Sequence, residues 1–217
     1  PEEDGLLTRL GQIELQRGRT EAGLALLQES LRLNPNNPPL RDYVQALAGA
    51  EQSFEGPYRV DPGAELAARP KGLLAPGKGA LCLLHNEALR VHRDGTQARW
   101  LQRFFVITSA EGVRDFDLVS LPYVAGEQKL SVLTARVHHP DGTRDDARTE
   151  RAGGGGGGED RVWRRFPVDL PVLEIGDVIE IEHRVEDVRP TFFGDYFGDV
   201  ITFGLAYECA DFRYTLV

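Results

Sequence analysis

The sequence contains two cysteines, Cys82 and Cys209, and a thiol enzyme would need one of them as its nucleophile. Such an enzyme combines a thiolate of lowered pKa with a histidine base and a carboxylate that orients the histidine. Cys82 lies in the apolar run ALCLLH, which is typical of a buried strand, and Cys209 lies in YECADF with no histidine after it. We therefore expect no catalytic residues and two buried free thiols, with a single disulfide as the alternative.

Histidines offer a second kind of chemistry, which is metal binding. His138 and His139 are adjacent, and several aspartates follow them closely. Neighbouring residues of a strand point to opposite faces, so this pair cannot readily hold one ion, and a solvated hairpin tip is the favoured interpretation. His183 shares a strand face with apolar residues and is interpreted as a hydrogen-bonded core or interface histidine. We expect neither a metal nor a cofactor.

The stretch TFFGDYFGDV repeats an aromatic-Gly-Asp unit. A Ca²⁺ site needs about six to eight oxygen ligands, which two spaced aspartates do not supply. A structural anchor is favoured, in which Phe193 and Phe197 point into the body while Asp195 and Asp199 accept backbone N–H groups or face water. The alternatives are contact with a protein partner or a carbohydrate, and a metal site. The candidate binding residues are Phe192, Phe193, Asp195, Tyr196, Phe197 and Asp199.

The first part of the chain has helical periodicity. Two apolar stripes span residues 6–33 and are separated by Gly18-Arg19-Thr20, and a third stripe follows the proline-rich segment 34–39. This pattern resembles a tetratricopeptide repeat, which has a length of about 34 residues. Gly23 and Ser30 stand where that family prefers alanine, and both are small enough for close helix packing, whereas Glu14 replaces the usual aromatic residue. The matching residues are Leu7, Leu10, Gly11, Gly18, Leu24, Leu31 and Pro35.

Residues 53–79 are rich in proline and glycine and lack periodicity, which predicts a linker or an extended strap.

From Ala80 onward the hydrophobic period changes to two. Asp94-Gly95 and Asp141-Gly142 each separate two strand-like runs and predict hairpins, because glycine tolerates a positive φ. The run DVIEIEHRVED alternates apolar and charged residues. The six glycines Gly153–Gly158 predict a surface loop or linker.

These elements predict an α+β chain. Residues 1–52 are expected to form a tetratricopeptide-like helical hairpin, residues 53–79 a linker, and residues 80–217 a mainly antiparallel, β-sandwich-like domain.

Several motifs in the β-rich part carry a family resemblance: VHRDGT, RFFVITSAEGV, SLPY, QKLSVLTARVHHPDGT, IGDVIEIEHRVED and FFGDYFGD. Together they resemble a bacterial domain of unknown function that precedes transglutaminase-like cores, and the resemblance runs from about Ala80 to Val217. It implies an antiparallel β domain without established chemistry of its own. It also implies a papain-like Cys-His-Asp core further along the parent protein. The Gly153–Gly158 run departs from the family pattern.

The net charge of -9 and the pI of about 5.1 argue against a nucleic-acid or anionic-membrane surface. No apolar run approaches the length of a membrane span. The sequence lacks methionine and begins at Pro1, so we expect a piece of a longer protein.

The expected function is that of a non-catalytic module, which interacts with or positions a protein partner or a downstream domain of a transglutaminase-like protein. The alternatives are a part of the substrate cleft of a transglutaminase- or protease-like thiol enzyme, and a carbohydrate-binding β-sandwich.

Overall fold

The computed structural model describes residues 2–35, 37–48, 53–67, 79–149, 162–189, 197–201 and 207–217. The chain forms two compact units. The first contains Pro1–Pro57, Val91–Thr96 and Val188–Phe197, and the second contains Tyr58–Arg90, Gln97–Asp187 and Gly198–Val217. None of the described helices is both long and apolar enough to cross a membrane. The predicted glycine loop Gly153–Gly158 lies outside the described residues.

The described part of the first unit contains three α-helices: α1 Glu2–Gln16, α2 Thr20–Leu33 and α3 Pro38–Ala48. Gly18 turns the chain between α1 and α2 with a φ of 76°. The close packing of the two helices is evident at Gly11, where an added Cβ atom would lie only 3.0 Å from the carbonyl oxygen of Gly23. Ser30, 1% exposed, donates a hydrogen bond to the carbonyl oxygen of Asp4. The predicted helices and their close packing are confirmed, and the tetratricopeptide-like character stays a prediction.

The second unit is built on a six-stranded sheet with the strand order β5-β4-β7-β2-β1-β8, and β3 and β6 form a separate two-stranded ribbon. The strands are β1 Ala80–Val91, β2 Gln97–Ile107, β3 Val119–Ala125, β4 Gln128–His138, β5 Arg144–Asp146, β6 Val162–Val168, β7 Val178–Asp187 and β8 Phe212–Leu216. Two short helices, α4 Pro62–Ala67 and α5 Ala110–Asp115, and a 3₁₀ turn, Gly56–Tyr58, complete the described elements.

The α+β class and the mainly antiparallel pairing are confirmed. The exception is β8, which runs parallel to β1 from His85↔Phe212 to Leu89↔Leu216. The sandwich-like arrangement and the domain boundaries stay predictions.

Both predicted Asp-Gly hairpins are present. Gly95 and Gly142 have φ angles of 78° and 89°, which only glycine adopts readily. In each turn the aspartate Oδ1 accepts hydrogen bonds from the backbone N–H and the hydroxyl of the threonine two residues later. The shared Asp-Gly-Thr sequence therefore builds the same turn twice.

The six-stranded sheet is buried on both faces. One face is apolar, and its cluster includes Cys82, Phe105 and Ile181 together with Phe166 of the ribbon. The alternate residues of β7 lie on the opposite face. These include Glu180, Glu182, Arg184 and Glu186, which are only 2%, 3%, 8% and 3% exposed.

A short strap (Tyr58–Val60) hydrogen-bonds to the sheet. Gln102 accepts the Val60 N–H at 2.9 Å through Oε1 and donates to the Val60 carbonyl at 2.9 Å through Nε2. Asn86 donates to the carbonyl oxygen of Tyr58 at 2.7 Å. This part of the predicted linker or strap is therefore fixed to the second unit.

Candidate functional site

Asp199 is the described aspartate of the repeated aromatic-Gly-Asp unit. Its Oδ2 accepts a hydrogen bond from the Tyr214 hydroxyl at 2.9 Å, and its Oδ1 lies 3.0 Å from Nη2 of Arg99. Oδ1 also accepts the backbone N–H of Val200 at 2.9 Å. The expected backbone hydrogen bond is present, whereas the ion pair with Arg99 on β2 and the contact with Tyr214 on β8 were not predicted.

Of the other predicted binding residues, only Phe197 lies among the described residues. Phe197 is half-buried. Phe192, Phe193, Asp195 and Tyr196 lie outside the described residues, so their roles stay predictions.

Arg99 connects Asp199 to a second carboxylate. Its Nη1 pairs with Oε1 of Glu87 on β1. The Oε2 of Glu87 lies 3.3 Å from Nε2 of His85. The His85 ring stacks on Phe212 of β8, with centroids 4.5 Å apart and an interplanar angle of 4°. A continuous chain of contacts thus joins β1, β2 and β8 to the segment that carries Asp199.

The surroundings of Asp199, Tyr214 and Arg99 shift the pKa of each of these three groups. Burial opposes ionisation of Asp199, but the Tyr214 hydrogen bond and the Arg99 charge outweigh it and lower the Asp199 pKa. Burial and the hydrogen bond to Asp199 raise the pKa of Tyr214 to about 12. Burial opposes the charge of Arg99, yet Glu87 and Asp199 together raise its pKa. Asp199 and Arg99 are therefore charged near pH 7 and Tyr214 is neutral, and none of the three exchanges a proton there.

The two thiols contact each other. Cys82 and Cys209 are free, and their Sγ atoms lie 3.3 Å apart. Burial raises the pKa of the Cys82 thiol, and the hydrogen bond from Cys209 adds to this effect. The prediction of two free thiols is confirmed, although Cys209 is only partly buried. A thiol held protonated in this way is a poor nucleophile.

His183 is a core histidine, as predicted, with 4% exposure. Its Nδ1 has no hydrogen-bond partner among the described residues, so the expectation of satisfied hydrogen bonds is not met for that atom within this part of the chain. Burial lowers the His183 pKa to about 3, and the charges of Arg103 and His85 contribute. His183 is therefore neutral at physiological pH.

His138 and His139 bind two different carboxylates. His138 Nε2 lies 2.7 Å from Glu180 Oε2, and His139 Nδ1 lies 2.9 Å from Asp177 Oδ1. Their side chains are 12% and 21% exposed, so the expectation of a solvated tip is wrong for these two residues. No group of three histidine, cysteine or acidic side chains that could hold a metal occurs among the described residues.

An exposed tryptophan marks the ribbon. Trp163 on β6 is 71% exposed, and it pairs with Val124 of β3. Phe166 faces the core, so alternation places Trp163 and Arg165 on the outer side, where Arg165 pairs with the exposed Pro122. We call Trp163, Arg165 and Pro122 the Trp163 surface. The sequence analysis missed it, although a tryptophan and two arginines at the start of a strand would have indicated it.

Comparison with known proteins gives the family. The model of a domain of unknown function with a solved structure, DUF3857, matches residues 93–217, which is more than half of the chain. The chain belongs to this family. The expected domain of unknown function is thereby confirmed, although its match begins at Arg93 rather than near Ala80. The tetratricopeptide repeat and the transglutaminase-like context stay predictions.

No curated protein matches the chain. The DUF3857 chain is similar to a crystal structure described as a "putative protease" from Parabacteroides distasonis, with 16% sequence identity and a TM-score of 0.43. The match covers 52% of this chain and 24% of that one, so the chain spans about a quarter of the length of that protein.

Proposed function

We propose that this DUF3857 domain is a non-catalytic module that binds or positions a protein partner, and that in the parent protein this partner is a transglutaminase-like core. The observation that carries the proposal is the Trp163 surface. Its tryptophan is 71% exposed and lies beside an exposed arginine, a combination typical of the residues that dominate protein interfaces.

The chemistry of the thiols and histidines supports a non-catalytic role. Both cysteines and all five histidines of the sequence lie among the described residues. The Cys82 thiol is buried and its pKa is raised, while His183 has a pKa of about 3 and cannot act as a base near neutrality. His138 and His139 are each held by a carboxylate of their own. These contacts of Cys82, His138, His139 and His183 favour a non-catalytic role.

The Trp163 surface has the composition of an interaction site. Tryptophan and arginine are the residues that most often dominate binding energy at protein interfaces. Arg165 is exposed on this surface and forms no ion pair within the described part of the chain, although the chain as a whole carries a charge of -9. A local basic site on an acidic protein favours a partner segment that combines apolar and acidic side chains.

The strand arrangement offers a way to hold such a segment. β3 and β6 pair only with each other, so the β6 edge beside Trp163 lacks a strand partner among the described residues. An extended segment can add to a free sheet edge through backbone hydrogen bonds, while adjacent side chains supply specificity.

Photochemical cross-linking in the parent protein tests the proposal. A photoreactive phenylalanine analogue is placed at Trp163, and in a matched control at Leu118, which is 73% exposed at the opposite end of the ribbon. We expect cross-links from position 163 to one segment of another domain or protein, mapped by mass spectrometry. Equal or absent cross-linking at the two positions would contradict the binding role.

An activity measurement tests the non-catalytic part. The purified chain is expected to hydrolyse neither amide nor ester substrates and to transfer no acyl group to amines. Turnover that disappears in Cys82→Ala or Cys209→Ala would show instead that the thiols are catalytic.

A further inference from the structure

We infer that Cys82 and Cys209 form an oxidisable dithiol, which closes to an intramolecular disulfide when the protein meets a disulfide-bonded thiol oxidant. The two residues are 127 positions apart in the sequence, yet their Sγ atoms lie 3.3 Å apart. A disulfide needs a shortening of this separation to about 2.05 Å. The change is a little over one ångström and requires no rearrangement of a strand.

The backbone around the pair is already held in place. Cys82 and Cys209 are partners in a parallel β-bridge. The Cys82 N–H donates to the Glu208 carbonyl at 2.9 Å, and the Ala210 N–H donates to the Cys82 carbonyl at 2.8 Å. The sulfur contact shows that the side chains of these two paired residues point the same way, as a disulfide between them requires.

The two thiols differ in how readily they react. Cys82 is 0% exposed, whereas Cys209 is only partly buried. An oxidant from solution therefore reaches Cys209 first, and Cys82 is placed to react second.

Thiol–disulfide exchange gives a balanced route. The Cys209 thiolate attacks a sulfur of oxidised glutathione, forms a mixed disulfide and releases one glutathione thiolate, which takes up the Cys209 proton. The Cys82 sulfur then attacks the Cys209 sulfur and expels the second glutathione as a thiolate, which takes up the Cys82 proton. The buried guanidinium of Arg103 favours the transient Cys82 thiolate, since its charge acts against the effect of burial on that pKa. Two protein thiols are oxidised and one glutathione disulfide is reduced.

The bond would fasten the C-terminal segment to the sheet. β8, which follows Cys209, lies at the sheet edge and contributes Tyr214 and Phe212 to the Arg99–Asp199 cluster. A cross-link that closes so long a loop restricts the unfolded chain strongly. Oxidation is therefore expected to hold β8 and the cluster in place under conditions in which the reduced edge strand opens.

The test incubates the full chain with oxidised glutathione and follows it by intact-mass spectrometry and peptide mapping. We expect the wild type to lose two hydrogen atoms and to yield a peptide pair joined through Cys82 and Cys209. Cys82→Ser is expected to gain one glutathionyl group at Cys209, whereas Cys209→Ser remains unmodified. The oxidised wild type is expected to melt about 10 °C above the reduced protein, and neither variant shows this difference.

Three results would overturn the inference. The first is a folded wild type that keeps both thiols while urea-unfolded protein is oxidised under the same conditions. The second is a disulfide that forms only between molecules. The third is glutathionylation of Cys82 in Cys209→Ser at the rate seen for Cys209. Should Cys82→Ser fail to fold, peptide mapping of the wild type still decides between the first two results and the inference.

Discussion

Tyr214 and Asp199 form a 2.9 Å hydrogen bond that joins the last strand of the sheet to the end of the aromatic-Gly-Asp stretch. The phenol donates and the carboxylate accepts, so loss of the tyrosine proton would place two negative charges side by side. This relationship makes the stability of the second unit dependent on pH in the alkaline range.

The first prediction concerns Tyr214→Phe. The folded-state pKa of Tyr214 is about 12, whereas an unfolded tyrosine has a pKa of about 10. A raised pKa contributes stability that is fully present below about pH 10 and is lost as the pH rises through about 12. Urea unfolding of the wild type should therefore show a decline across this window that is smaller in Tyr214→Phe, where only groups such as Tyr207 still contribute. Tyr43→Phe, in the first unit, serves as the control and should decline like the wild type.

The second prediction concerns the ion pair between Asp199 and Arg99. Asp199→Asn keeps an acceptor for Tyr214 but removes the charge that faces the Arg99 guanidinium. We expect a loss of about 1 kcal/mol in the free energy of unfolding at low salt, and a smaller loss at high salt because ions screen partly exposed pairs. A Ca²⁺-dependent rise in melting temperature that Asp199→Asn abolishes would contradict this assignment and indicate a metal site.

The third prediction concerns Glu182, a carboxylate at the centre of the charged sheet face. Its Oε1 accepts hydrogen bonds from Arg59 Nε at 2.9 Å and from Trp100 Nε1 at 2.8 Å, and the side chain is 3% exposed. Glu182→Gln removes the charge and leaves the partly buried Arg59 without its partner, so we expect a loss of about 3 kcal/mol. Thr134→Val, which removes only a 3.3 Å contact with Glu182 Oε2, should cost about 0.5–1 kcal/mol. If Glu182→Gln and Thr134→Val lose the same free energy of unfolding in denaturant, the charge of Glu182 is not what stabilises this face.

The Asp-Gly hairpins could be predicted because all of their determinants lie within a few consecutive residues. The alternation in β7 likewise predicted which residues share a face. It did not predict that Glu180 and Glu182 would be buried, since an alternating strand is normally solvated on its polar side.

The sequence does not show which residues that lie far apart along the chain come into contact in the fold. Arg59 and Glu182 are 123 positions apart, and nothing local to either residue identifies the other. The same holds for Arg99 and Asp199 and for the two cysteines. A sequence pattern reports local geometry, whereas these contacts depend on the strand order, which places β1, β2 and β7 side by side.

The fourth prediction concerns His139. Its hydrogen bond with Asp177 raises its pKa above the ordinary value, and Asp145 adds to this effect. The stability from this raised pKa is fully present below about pH 6.5 and is lost as the pH rises through the folded-state value. Asp177→Asn should lower the His139 pKa in an NMR titration of the folded protein. Asp145→Asn, at the more distant 3.4 Å contact, should lower it less, and the reverse order would contradict the assignment.

The fifth prediction concerns the close approach of Gly79 and Gly112. A Cβ atom added at Gly112 would lie 1.7 Å from the carbonyl oxygen of Gly79, so the backbone itself would have to move. That carbonyl also accepts the Thr108 N–H at 3.1 Å, which limits how far it can shift without losing a hydrogen bond. Gly112→Ala should therefore destabilise the second unit by about 3 kcal/mol or more in urea unfolding.

Gly63→Ala is the matched control for Gly112→Ala, because Gly63 also lies in a short helix of the second unit. A Cβ atom there would lie 3.5 Å from Oδ2 of Asp61, which is an ordinary contact. Alanine is a better helix former than glycine by about 1 kcal/mol, so this variant should equal or exceed the wild type in stability. A similar loss in both variants would mean that glycine is required for backbone freedom rather than for close approach. If Gly112→Ala is as stable as the wild type, α5 can move away from Gly79 without a loss of stability.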